Sequence, residues 1–362
     1  RQTLTALLAN SHALTLADRF GPRLLLTFGA FFCGLSALLF GWADSLVQIY
    51  LSRFLLGLFA SAGFVCALKL ATVWFPARML GLIIGITQTF GMLGASSGGP
   101  LSMINQHYDY STIMVVMGGV FILLSLASFM FVRNGQAPST QSQAHSDDSN
   151  LNNILKTVLK SKYTWINAMY AGFIYAPVQV LGEYWGAQFF ANVYGITPKQ
   201  GAFAASTLFI GWIVGGPFAG MLADKIGRRP VMLISAFMCS LLFAFMFLMP
   251  TLSYPFVILL CFSLGGMNTG LIAAYTASGE LHEAKCAGLS MAIANMFSIG
   301  FGAILIPLCG IFLDQVTSGA VSATGEPIYT AKEFLVSFSL LPLCALMALV
   351  CAFSMKETYQ KT

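Results

Sequence analysis

Charge is what this sequence has least of. Only 9% of its residues are Asp, Glu, Lys or Arg, against about 25% in an average soluble domain, while 57% are hydrophobic. No soluble core needs that much apolar surface, so a membrane protein is expected. Catalytic motifs are missing as well. There is no Gly-x-Ser-x-Gly elbow, no His-Glu-x-x-His, no Walker phosphate loop and no paired carboxylates within an apolar run. These absences argue against a membrane enzyme and against ATP-driven pumping by this chain. Histidine is sparse: His12 belongs to a short N-terminal segment and is given no role, and His107, His145 and His282 stand alone in loops. Of eight cysteines none forms Cys-x-x-Cys, and Cys33, Cys66, Cys239, Cys261, Cys309, Cys344 and Cys351 sit inside apolar runs. They read as small buried hydrophobes, so neither a metal nor a cofactor is implied. The net charge of +5 is dispersed among loops, which topology explains better than nucleic-acid binding does.

What the chain does have is apolar runs, at about 24–43, 46–73, 80–103, 111–132, 163–191, 201–223, 231–249, 255–278, 287–313 and 334–355. Each is long enough to cross a ~30 Å hydrocarbon layer as a helix. Residues 1–16 are too short and too polar for a span of ~20 residues, and read as the remainder of a preceding helix. Between Arg133 and Lys162 lies a Gln-, Ser- and Asp-rich tract with nothing to bury. It is expected to be a flexible linker ending in a short amphipathic helix near 151–159.

Orientation follows from the loops. Arg19, Arg23, Arg78, Arg133, Lys156, Lys160, Lys162, Lys225, Arg228, Arg229, Lys285, Lys356 and Lys361 fall in alternate loops, and only Lys199 and Lys332 fall in the others. Short cytoplasmic loops hold the Lys/Arg excess, so the linker and the C-terminus are expected in the cytoplasm.

Two charged turns repeat at half-chain spacing. Gly220-Met-Leu-Ala-Asp224-Lys225-Ile-Gly227-Arg228-Arg229 lies 206 positions after Leu16-Ala-Asp18-Arg19-Phe-Gly21-Pro-Arg23. A second echo aligns Gly81, Gln88 and Pro100 with Gly288, Asn295 and Pro307. The turns resemble the signature loops of the major facilitator superfamily, which lie between its second and third and its eighth and ninth helices. In the first copy Leu14 stands where the glycine belongs and Pro22 replaces the first arginine. The resemblance implies an all-α membrane protein of twelve transmembrane helices in two bundles, arranged as parallel repeats. The first helix and part of the second would then be absent from this chain. It implies an incomplete N-terminal bundle at 1–133, a linker at 134–162 and a six-helix bundle at 163–362. It also makes Asp18, Arg19, Gly21, Asp224, Lys225, Gly227 and Arg228 a conformational latch. Asp18 and Asp224 are expected to meet the positive N-terminal end of a neighbouring helix when that side closes; for Asp18 the neighbour is the helix starting near Ala287.

Ionisable groups inside hydrocarbon are expensive and usually face a cavity or a partner. Three qualify: Arg53, Lys69 and Glu183. Lys69 lies near a helix end, where its stem can snorkel. Arg53 opens Arg53-Phe-Leu-Leu-Gly57-Leu-Phe59, similar to the superfamily's fourth-helix pattern, whose arginine is linked to proton coupling. Phe59 stands in place of a glycine there, and the alternative is an arginine that ties helices together. Glu183 lies within Tyr175-Ala-Pro177-Val-Gln179-Val-Leu-Gly182-Glu183-Tyr-Trp185-Gly186. Helical spacing puts Tyr175, Gln179, Gly182, Glu183 and Gly186 on one face, and Pro177 with the glycines makes this helix easy to interrupt, as helices lining transporter sites often are. The competing reading is an interfacial glutamate only ~10 Å before the exit at Phe190. Gln88, Tyr275, Asn268 and Asn295 are mid-helix polar groups. Gln88 and Asn295 are also explained by interhelical hydrogen bonds, whereas Asn268, beside three glycines on the equivalent of the tenth helix, is the better ligand candidate.

At finer grain, Pro177 to Gly186, Phe209-Ile-Gly211-Trp212-x-x-Gly215-Gly216-Pro217 and Met355-Lys356-Glu357-Thr358 resemble the phagosomal nutrient transporters of intracellular bacteria. That likeness implies a monomeric inner-membrane importer of a small polar nutrient, such as an amino acid or nucleoside, driven by protons. Carboxylate siderophore or organic anion import, drug efflux, and a transporter-like sensor are the alternatives.

Overall fold

The computed structural model describes residues 22–75, 79–96, 109–133, 148–283, 286–317 and 329–359. Among them the secondary structure is entirely helical. In chain order the helices are α1 (Pro22–Gly41), α2 (Leu46–Trp74), α3 (Leu80–Ser96), α4 (Tyr110–Phe131) and α5 (Asp148–Lys160). A broken rod follows, made of α6 (Lys162–Gln179), a π-helical segment (Val180–Trp185) and α7 (Gly186–Tyr194). Then come α8 (Pro198–Ile226), α9 (Arg228–Leu248), α10 (Tyr254–Met267), α11 (Gly270–Glu280), α12 (Ala287–Val316), α13 (Ala331–Ser337) and α14 (Leu340–Ser354). Seven stretches are long and apolar enough to cross a membrane, with α10–α11 and α13–α14 each counted as one. Leu46–Ala60 within α2 and Gly81–Gly94 within α3 are shorter apolar stretches.

Helix starts at one end of the molecule share a device. Ser45 with Gln48, Thr197 with Gln200 and Thr330 with Glu333 form capping boxes on α2, α8 and α13, satisfying amide donors that have no partner within the helix. The opposite end, which carries Asp224, is called the latch end below.

Packing relies on small residues, because lipid is as apolar as any core side chain and close backbone contact is what distinguishes helix from lipid. α1 packs on α4 and α2, and a Cβ on Gly34 would lie 2.9 Å from the Gly118 carbonyl. In the second bundle α6 packs on α12 and α14, and α8 on α10. Its interior holds Trp212, Tyr170, Phe189 and Phe243, while Phe218, Leu248 and Phe353 point outward. α3 is an exception to this division: its main partner among the described residues is α8 of the other bundle. The amphipathic helix expected near 151–159 is α5. Its Val158 is fully buried against Ala168, Cys286 and Ile293, and the Trp165 indole donates to the Leu159 carbonyl.

Candidate functional site

The latch is built where α8 turns into α9. Gly227 has φ +106°, a backbone region that side-chain-bearing residues rarely adopt, and the turn brings Asp224 and Arg228 together one helical turn apart. Arg228 is 1% exposed and bonds Asp224 at 2.6 Å and Glu280 of α11 at 2.7 Å. The Asp224 carboxylate also accepts from the Gly81 and Leu82 amides at 3.3 and 3.1 Å, at the N-terminus of α3, where negative charge is favoured. It therefore spans the two bundles. Lys225 is exposed. Glycines make the approach possible: a Cβ on Gly81 would meet the Asp224 carboxylate at 2.7 Å, and one on Gly85 the Gly216 carbonyl at 2.7 Å. At this end of the molecule α3 and α8 are in direct contact. Asp18, Arg19 and Gly21 lie outside the described residues.

Three latch residues were not picked out from sequence. Glu280 ends the apolar run of α11. Glu357 accepts from the Arg228 and Arg229 amides at 3.0 and 3.1 Å, and Thr358 donates to Glu280 at 2.9 Å. The ending Met355-Lys356-Glu357-Thr358 was a visible motif, but its contacts join residues about 80 to 130 positions apart and no local pattern announces them.

Glu183 sits on the π-helical segment. Pro177 lies inside α6 just before it, Gly182 meets the Phe209 ring, and the Trp185 indole donates to the Ile306 carbonyl at 3.0 Å. π segments inside α-helices are frequent at functional sites. The wider turn corrects the single face expected from α-helical spacing: Tyr175 and Gln179 are buried, whereas Glu183 is exposed. The helix continues to Tyr194, so Glu183 lies ~16 Å of rise from its end. Among the described residues Glu183 has no hydrogen bond or ion pair. One turn below it, the buried Oε1 of Gln179 has no partner and presses against Gly302.

Arg53 does not approach Glu183. Its guanidinium donates to the Tyr110 hydroxyl at 2.9 Å and stacks over Phe40 at 4.2 Å, tying α1, α2 and α4 together, while Phe59 stacks on Phe32. Asn268, in the break between α10 and α11, is fully buried and donates to the Ile174 carbonyl at 2.5 Å. That makes it a cross-link to α6. Asn295 accepts from Tyr275, which also bonds Ser298. Gln88 is half-buried on α3. Among the described residues no group of three or more His, Cys, Asp or Glu could hold a metal.

Long apolar helices and a buried charge cluster that joins Asp224, Arg228 and Glu280 are the features with which known proteins can be compared. The Major Facilitator Superfamily profile matches residues 2–307, and the chain belongs to that family. A putative glycerol-3-phosphate transporter of Arabidopsis thaliana is 26% identical over 62% of this chain and 50% of its own length. A probable sulfoacetate transporter of Cupriavidus necator is 23% identical over 59% and 52%. The chain thus spans about half the length of these two relatives. A class H tetracycline resistance protein of Pasteurella multocida is 24% identical over 78% of this chain and 71% of its own. Among solved structures, the E. coli fucose:proton symporter FucP superposes with a TM-score of 0.73 at 15% identity, covering 99% of this chain and 90% of that one.

Proposed function

We propose that this chain is a proton-coupled secondary importer, multi-pass in a bacterial inner membrane with its latch end and C-terminus in the cytoplasm. It takes up a small polar solute by alternating access as a monomer. The reading divides the chain into bundles at 1–133 and 163–362 joined by a linker, with the solute path between them. The observation that carries it is Glu183: a carboxylate with no hydrogen-bond or ion-pair partner among the described residues, on an apolar helix whose regular hydrogen bonding is interrupted at that point. A carboxylate so placed can load a proton on one side and release it on the other when the two conformations give it different surroundings. Gln179 and Tyr175 line the same helix below it. The named function of FucP as a proton symporter and the likeness to phagosomal nutrient transporters agree with proton-driven uptake. Arg53 serves as a tie at the far end of the first bundle.

Purified protein in liposomes, given an inward proton gradient and a labelled mixture of amino acids and nucleosides, should accumulate label, and a protonophore should abolish the accumulation. Glu183→Gln should lose accumulation yet retain exchange of labelled for unlabelled solute, because exchange moves no net proton. A variant that accumulates like the parent removes Glu183 from the mechanism. The resistance proteins among the relatives favour a second reading, efflux of apolar compounds. Export of hydrophobic dyes with no polar uptake would establish that one instead. Uptake of organic anions would follow the glycerol phosphate and sulfoacetate relatives.

A further inference from the structure

α5 has 13 residues, too few to cross a bilayer, which takes ~20. It buries Val158 against Ala168 of α6 and against Cys286 and Ile293 at the start of α12. Just past its end, Thr164 Oγ1 bonds His282 Nε2 at 2.8 Å. The apolar stretches Tyr254–Glu280 and Ala287–Val316 end and begin at this level, so α5 lies across the border where two spans leave the hydrocarbon. Its outer face is basic. Lys156 and Lys160 are exposed and one helical turn apart. Lys162, also exposed, opens α6 with its Nζ 5.2 Å from the Tyr163 ring centre. None of the three lysines forms an ion pair among the described residues. Beside them are two large apolar side chains, Leu159 at 44% exposure and Trp165 at 38%. The Trp165 indole donates to the Leu159 carbonyl at 2.8 Å, which fixes the ring against the last turn of α5. Lys162 and Trp165, three residues apart on α6, share a face.

We propose that the junction of α5 and α6 is a binding site for an anionic phospholipid. The headgroup phosphate lies among Lys156, Lys160 and Lys162, and the first part of an acyl chain packs along Leu159 and Trp165. Each half of the surface narrows the choice of occupant. Exposed apolar side chains alone would accept any lipid, and unpaired lysines alone would stay in water. Cations set beside an apolar patch at the membrane border call for a ligand whose negative head is joined directly to a hydrocarbon tail. Trp165 suits that depth, because an indole with its N–H satisfied and its ring partly uncovered is what the membrane–water interface favours. A lipid held there bridges α5 and α6 and fastens the chain that leads into the second bundle to the bilayer surface. The inference requires only that the chain is embedded in a membrane, and it is independent of proton coupling and of the solute.

The test places the full chain in phosphatidylcholine vesicles and adds lipid brominated on its acyl chains, either phosphatidylglycerol or phosphatidylcholine. Bromine quenches nearby indoles, and the Trp165 signal is the difference between the parent and Trp165→Phe. Brominated phosphatidylglycerol should quench Trp165 at a severalfold lower mole fraction than brominated phosphatidylcholine, and added inorganic phosphate should not relieve it. The triple variant Lys156→Gln/Lys160→Gln/Lys162→Gln should lose the preference, while Lys199→Gln/Lys332→Gln at the opposite end should keep it. Should the triple variant fail to fold, the single variants decide, each weakening the preference about fivefold, the share of one lysine at an anionic surface. Equal quenching of the parent by both lipids would overturn the proposal, as would a preference that survives loss of the lysines. Absence of quenching by either lipid would mean that something other than lipid covers Trp165, and that too would overturn it.

Discussion

At the scale of single residues, Arg228 is the most committed group in the molecule. Its guanidinium is almost fully buried between Asp224 and Glu280, with the Tyr359 ring 5.2 Å away. Removing one partner of a buried pair strands the other charge and typically costs 3–5 kcal/mol. Arg228→Met should therefore lower the unfolding temperature markedly, and Arg228→Lys should recover only part of it, because an ammonium cannot reproduce the two-sided fork; thermal unfolding in detergent reads both. Asp224→Asn is a different case. The amide has one acceptor oxygen where the carboxylate has two, and it turns donors toward Arg228 or the α3 amides. Transport should slow, with solute affinity unchanged within a few fold, as equilibrium binding and flux measured together would show. Equal loss of binding in a folded Asp224→Asn protein would contradict a latch role. The sequence motif singled out Asp224 and Arg228, but Glu280 and Glu357 escaped it because their contacts are set by how helices meet. For Asn268 the glycine neighbours were visible in sequence, while the Ile174 carbonyl that accepts from its Nδ2 was not.

At the scale of elements, the α6–α7 rod and the α3–α8 pair matter most. Pro177, Gly182 and Gly186 foretold an interruption in the rod. They could not foretell a π turn, which depends on Trp185 reaching Ile306 and on the Phe209 ring against Gly182. Of the face expected from α-helical spacing, Tyr175, Gln179 and Gly186 are buried, and Glu183 is the member that is exposed. The α3–α8 contact gives a direct prediction. Gly85→Val puts a branched side chain against the Gly216 carbonyl, where even a Cβ sits at 2.7 Å, so the latch end cannot close. In that variant, a cysteine at Met221 should react faster with an impermeant maleimide added from the latch side than it does in the parent background. Unchanged labelling would mean that α3 and α8 part by some other hinge.

At the scale of the whole molecule, the all-helical membrane fold was readable from apolar run length, and the family from the charged turn around Asp224. The contact between α3 and α8 was not. Asp224 reaches the α3 amides from α8, a property of assembly that no segment carries alone. The same contact bears on biosynthesis. Among the described residues α3 has little to pack against in its own half, and its glycine face fits α8, which leaves the ribosome more than a hundred residues later. During that interval α3 stands in lipid with the surface meant for α8 uncovered, a natural point for a membrane chaperone or protease to act. A nascent chain halted after α4 should be degraded quickly, and supplying the second half as a separate polypeptide should protect it, which makes the two halves obligate partners in biogenesis as well as in transport.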